Sequence, residues 1–164
     1  MGHRDAVCYC GRCERLYREG TSMKTNALII ALLTTLIPTT TIAQQSTAPA
    51  NARVYFIWPK DGTVIKGGKF WARFGLRDMG IAPAGVEKAN TGHHHLVIDA
   101  PLPPFDEEIP ADKNHVHYGK GFSEGRLSLP PGRHTLQLLF ADHDHVPHNP
   151  PVYSKKITVI VPAN

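Results

Sequence analysis

From residue 53 onward the chain is a succession of short alternating runs separated by Pro- and Gly-rich punctuation, and this pattern restricts it to β architecture. Arg53-Val54-Tyr55-Phe56-Ile57-Trp58 is dense in β-branched and aromatic side chains, which suit a pleated, half-buried surface. Pro59-Lys60-Asp61-Gly62 is turn chemistry, followed by a short edge segment at 63–66 and the turn Gly67-Gly68. Residues 69–78 alternate, placing Phe70, Ala72, Phe74 and Leu76 on one face. Residues 79–91 read as a loop, 94–100 as a strand ended by Pro101, Pro103 and Pro104, and 114–118 as a short strand. Strands at 126–129 and 133–142 flank the tight turn Pro130-Pro131-Gly132, and a last strand spans about 152–161. Seven or eight short strands at roughly 8–12-residue spacing predict an all-β domain, an immunoglobulin-like antiparallel β-sandwich. The Cys pair of antibody domains is absent, so the likeness is one of architecture alone.

The sequence before residue 53 has a different character. Met23-Lys24-Thr25-Asn26 opens an apolar run from Ala27 to Ile37, followed by Pro38, a Thr cluster and Thr41-Ile42-Ala43. A positive start, a short apolar centre and a small-x-small ending are the parts of a secretory signal peptide. The apolar run is shorter than the roughly 20 residues that cross a bilayer. Residues 23–43 are therefore expected to be a leader removed after Ala43, with an uncleaved anchor as the alternative. Residues 1–22 then read as an extension from a start codon assigned too early, and residues 44–52 as a flexible lead-in to a single β-sandwich domain at 53–161. Export implies a periplasmic or secreted protein with no membrane span after cleavage.

The 164 residues carry a formal charge of +4, of which residues 44–164, with 13 Lys and Arg against 11 Asp and Glu, hold +2. Those charges are interspersed, without a basic stripe interleaved with aromatics, so no nucleic acid partner is expected. All three Cys, at 8, 10 and 13, precede the expected leader. Their close spacing reads either as part of the extension or as a small metal clip. A metal site in the exported part has only His, Asp and Glu to draw on.

Histidine is abundant there. Nine of the ten His lie beyond residue 43, against roughly two or three for ordinary composition. Eight of them form three groups, His93-His94-His95, His115-x-His117 and His143-x-His145-x-x-His148, and His134 stands alone. In a strand, residues i and i+2 point to one side with Cα atoms roughly 7 Å apart, so an H-x-H pair can converge on one ion. Neutral imidazole suits Zn²⁺, Cu²⁺ and Ni²⁺. In a seven-stranded sandwich the loops bearing these groups fall at one pole. The candidate ligands are therefore His93, His95, His115, His117, His143, His145 and His148. Glu124, Asp142 and Asp144 are candidates to hold the second ring nitrogens of those ligands. A hydrogen-bonded polar network and a solvated surface are the competing readings. His134 starts a strand at the opposite pole and His94 shares a face with Leu96 and Ile98, so both are expected to be structural.

The segments GHHHLVID at 92–99, IPADKNHVHYGKGFSE at 109–124 and PGRHTLQLLFADHDHVPHNPPVYS at 131–154 resemble a family of small exported bacterial domains, known only as the domain of unknown function numbered 4399. The resemblance runs over about residues 53–161. It implies that Gly92, His93, His94, His95, His115, His117, His143, His145 and His148 belong to a shared pattern, and it brings no established reaction.

Three functions are compatible with these residues. The first is a periplasmic metal-binding module for Cu²⁺ or Zn²⁺, acting as carrier, buffer or sensor. Cu⁺ handling favours Met or Cys, and Met79 is the only methionine beyond the leader. The second is a metal-dependent enzyme, with Glu124 or Asp144 as base. No serine elbow, Cys nucleophile or H-E-x-x-H helix supports it, so no catalytic residue is assigned. The third is a metal-independent binding or structural module of the cell envelope, contacting a protein or a glycan through Phe105, Tyr118 and Phe122.

Overall fold

A computed structural model describes residues 45–163. The segments expected from the sequence to be an extension at 1–22 and a leader at 23–43, together with Gln44, lie outside the described residues. Ten strands follow in order: β1 (Arg53–Trp58), β2 (Thr63–Val64), β3 (Lys69–Arg77), β4 (Gly80–Ile81), β5 (Thr91–Ile98), β6 (His115–His117), β7 (Glu124–Ser128), β8 (Gly132–Ala141), β9 (Pro147–Tyr153) and β10 (Ile157–Val161). Among the described residues there is no helix long and apolar enough to cross a membrane.

The strands form two sheets. The smaller has the order β1-β3-β7; the larger runs β2-β10-β8-β5-β4, with β6 also paired to β5 and β9 to β8. Alternation explains how they pack. Val54 and Phe56 of β1, Phe70, Ala72 and Phe74 of β3, and Leu127 of β7 turn inward. They meet Leu96 and Ile98 of β5, Leu136, Leu138 and Phe140 of β8, and Val159 of β10. Phe74 is the hub, edge-on to Phe56 at 6.1 Å and to Tyr118 at 4.9 Å between ring centroids. Each such buried large side chain is worth about 1.5–3 kcal/mol relative to exposure.

The larger sheet is also covered on its outer face. Ile109, from the segment joining β5 to β6, packs with Leu139 and Ala141 of β8, and Leu102 and Phe105 pack alongside. Strand β5 is therefore buried on both sides, which is why its run Gly92–Ile98 lacks polar alternation. Residues 45–52, read from the sequence as a lead-in, make contacts of their own: Ser46 donates to Asp142 at 2.8 Å, and the amides of Ala48 and Asn149 bond to the Asn149 and Ser46 carbonyls.

Three details differ from the sequence expectation. The single strand expected at 152–161 is two strands, because β9 pairs with residues 139–141 of β8 and β10 with residues 132–136. Ser154 makes the step between them, accepting from the Leu138 amide at 2.9 Å and donating to the Lys155 carbonyl. The stretch 79–91 contains β4, paired in parallel with the start of β5. Finally, β6 joins the larger sheet through β5, so its histidines share a sheet with those of β5.

Candidate metal centre

The cluster begins with strand geometry. Residues 93, 95 and 97 of β5 face outward from the core, while His94, Leu96 and Ile98 face inward. The β5–β6 register places His95 opposite His117 and Val97 opposite His115. Val116 turns to the core, which sends His117 to the outer face beside His93 and His95. One ring nitrogen from each of His93, His95 and His117 lies within 4.8 Å of the other two. The Nε2 atoms of His93 and His95 are 3.0 Å apart.

A fourth ring comes from the β8–β9 turn. The His145 imidazole sits 4.7 Å from that of His117, 5.0 Å from His93 and 5.8 Å from His95, centroid to centroid. His145 holds a left-handed φ of 66°, a conformation that costs a non-glycine residue of order 1–3 kcal/mol and needs support. Asp142 supplies it. Its Oδ1 accepts from the amides of Asp144 and Val146, and its carbonyl accepts from the His145 amide at 3.2 Å. The His145 carbonyl in turn accepts from the Ile109 amide at 3.0 Å. That contact brings Glu108 Oε1 to 3.9 Å from His145 Nδ1.

Burial favours the neutral form of His93, His95 and His117. Burial, reinforced by the neighbouring imidazoles of His117 and His145, pushes His93 down to about 4 even though Asp142 pulls the other way. Burial first, and then the crowding of neighbouring imidazoles, His93 and His117 among them, pushes His95 down to about 2. His117 is lowered as well, by burial first and by His145 second. Neutral imidazole is the form that ligates a metal. The Nδ1 atoms of His93 and His95 are buried and have no hydrogen-bond partner among the described residues, a cost that a folded protein rarely carries without a reason.

The other candidates are placed apart from this group. His115 is on the same face but bonds Asp112 through Nδ1 at 2.8 Å. His143 lies 3.2 Å from Asp144. His148 is buried, stacked on Phe140 at 5.8 Å, with Nε2 3.2 Å from the Thr91 carbonyl. The missing side chain of Gly92 makes room for it: a Cβ there would meet the Ala141 carbonyl and the His148 ring. Glu124 is on the smaller sheet, 3.2 Å from Arg73. His94 is buried between Phe74 and Phe140, and burial pushes it down to about 4. His134 bridges Asp99 at 2.6 Å and the Pro130 carbonyl at 2.9 Å. Sequence reasoning missed Glu108, because its approach to His145 depends on how the covering segment crosses the sheet.

Fold and cluster together define a small all-β domain that carries an imidazole group on the outer face of its larger sheet. The model of one family, a domain of unknown function designated DUF4399, matches residues 72–162. The match spans more than half of the chain, and the chain belongs to that family. No curated protein and no solved structure matches it.

Proposed function

We propose that this domain is an exported metal-binding module. It holds one Cu²⁺ or Zn²⁺ ion on His93, His95 and His117, with His145 closing the set, and serves as a periplasmic carrier, buffer or sensor. The observation that carries this reading is the convergence of three ring nitrogens within 4.8 Å of one another. Ligand nitrogens around a tetrahedral ion at 2.0–2.1 Å stand about 3.3 Å apart. The 3.0 Å between His93 and His95 is close to that spacing, and small ring rotations bring the third nitrogen in. Depressed pKa values favour the same reading, since the rings need no deprotonation to bind. An all-imidazole set without sulfur suits Cu²⁺ or Zn²⁺ better than Cu⁺.

The leader pattern at 23–43 supports export. The strand orders, three strands against a larger sheet with β8 and β5 at its centre, support the immunoglobulin-like assignment. Calorimetric titration of metal-free chain with Zn²⁺, Cu²⁺ and Ni²⁺ tests the proposal. One site per chain, abolished by His93→Ala and by His117→Ala, is the expected result. Absence of uptake by the wild type discards it and favours a module that binds its partner without metal.

A further inference from the structure

Arg53 of β1 and Arg77 of β3 stand directly opposite each other in the antiparallel register of the smaller sheet. Both are exposed, and like charges placed this way repel across the strands. Among the described residues, neither has a carboxylate within ion-pairing distance; the Arg–carboxylate pair of this sheet is Arg73 with Glu124. Together with Lys60 and Lys155, the two arginines line a groove of about 430 Å³ between β1 and the β9–β10 connection. The acidic residue in its walls, Asp61, already accepts from the Thr158 amide at 2.8 Å. The groove thus holds three more cations than carboxylates. Residues 44–164 as a whole hold an excess of only two, so the rest of that stretch is net negative and the positive charge is concentrated here.

Between the charges the lining is apolar, from Val54, Phe56, Pro59 and Ile157. Two exposed tyrosines, Tyr55 and Tyr153, complete it, and each is held in place. The Tyr55 ring lies over Gly75, where a Cβ would strike it, and the Arg77 guanidinium sits 5.8 Å from its centroid. Phe105 stacks on Tyr153 at 5.7 Å. Lys60 is anchored too, its Nζ donating to the Phe56 carbonyl at 3.2 Å. A mostly apolar, preformed lining with a few fixed polar groups is how small-ligand sites are built, and this volume falls within their usual range of about 300–1,000 Å³.

We propose that this groove binds a small organic dicarboxylate with a flat apolar body. One carboxylate bridges Arg53 and Arg77, whose forked guanidinium groups match its two oxygens and whose mutual repulsion it relieves. The second pairs with Lys155, from the β9–β10 connection on the other side of the groove. The body covers the apolar lining beside the tyrosines. An inorganic anion would relieve the arginines and leave that lining in water; an uncharged aromatic would cover the lining and leave the cations unpaired. Among the described residues no histidine lines the groove, so the site is independent of the metal reading.

Titration of metal-free chain with terephthalate, followed by amide shifts in heteronuclear NMR, tests the proposal. Saturable shifts are expected, centred on residues 53–61, 75–77 and 153–157. Succinate has the same charge without the ring, and terephthalamide has the ring without the charge; each is expected to bind about tenfold or more weakly than terephthalate. Arg53→Ser with Arg77→Ser, both exposed positions, should weaken terephthalate by a similar factor, and Lys155→Ser alone should weaken it several-fold. His117→Ala should bind it as the wild type does. Absence of saturable shifts, shifts centred elsewhere, equal affinity for succinate or terephthalamide, or undiminished affinity in the arginine and lysine variants would overturn it. Loss of binding in His117→Ala would place the ligand at the imidazoles and overturn it as well. No metal is present in any arm, so these outcomes are separate from the fate of the metal reading.

Discussion

His93 and His95 bring their Nε2 atoms to 3.0 Å on a strand where both residues are almost wholly buried. Two imidazoles cannot both be charged at that distance without strong repulsion, and the site offers little water to screen it. With both rings neutral, the pair shares one Nε2 proton in a hydrogen bond, and a metal cation can take that proton's place. The rings of His117 and His145 stand 4.9–5.8 Å from these two, centroid to centroid, so four imidazoles border one spot.

Metal retention should therefore extend to lower pH than for an exposed histidine site. Ordinary imidazoles compete for protons from about pH 6.5 downward. With His93 at about 4 and His95 at about 2, proton competition at these ligands begins well below that. Zn²⁺ or Cu²⁺ loaded at pH 7 should stay bound at pH 5.5 and leave as the pH approaches 4. Equilibrium dialysis across pH 7 to 3.5 measures this, and half-release near pH 6.5 would show that the rings titrate as solvated ones.

Without metal, the same groups make the fold acid-sensitive. Their folded pKa values lie below the unfolded value of 6.5, so the unfolded chain binds more protons between the two. Their contribution is complete above pH 6.5. It is lost as pH falls, through about 4 for His93 and His94 and on toward 2 for His95. Adding metal to 100 times its Kd should raise stability at pH 7 by about 2.7 kcal/mol. Chemical denaturation at several pH values, with and without metal, reads both effects.

His134 should behave in the opposite sense. Burial alone would lower it, but the hydrogen bonds to Asp99 and Pro130 outweigh burial and raise it. Its contribution is complete below pH 6.5 and fades as pH rises through the raised value. Asp99 is partly exposed, so Asp99→Asn is expected to cost only about 0.5–1 kcal/mol at pH 6. The substitution should move the His134 titration down, as followed by NMR of the ring protons, and leave metal uptake unchanged.

Gly92→Ala separates packing from ligation. The added Cβ meets the Ala141 carbonyl and the His148 ring, so β5 and β8 must part next to His93. Overpacking of this kind costs typically about 1–3 kcal/mol, and displacement of His93 should weaken metal binding as well. His148→Ala should lower stability and leave metal affinity within a few-fold of wild type. For His145→Ala we expect the reverse: little change in the denaturation midpoint and a loss of metal affinity exceeding the roughly 10–100-fold typical of an outer hydrogen-bond partner. Paired calorimetry and denaturation on the three variants check these assignments.

How much of this was legible in the sequence varies from residue to residue. The H-x-H spacing of His93 and His95 states by itself that the two rings share a face of a strand. The separation of His94 from them follows from the same alternation. His117 could not be told from His115 by spacing, because both face outward; the cross-strand register that sets His117 opposite His95 decides between them. His145 and His148 are three residues apart in one loop, yet a left-handed turn sends one outward, and an irregular register between Phe140 and Ala141 goes with the other's burial beside Phe140. Glu124 looked close to the histidines along the chain and lies on the other sheet. The all-β class was readable from turn chemistry. The splitting of the last strand was not, since it depends on two segments sharing one edge of β8.

X-ray absorption spectroscopy on chain loaded with one equivalent of Zn²⁺ or Cu²⁺ tests the central claim most directly. The account predicts three or four nitrogen or oxygen neighbours at about 2.0–2.1 Å with the outer-shell scattering of imidazole rings, reduced by one ring in His117→Ala. A metal that washes out on desalting, or a first shell without imidazole, would contradict it.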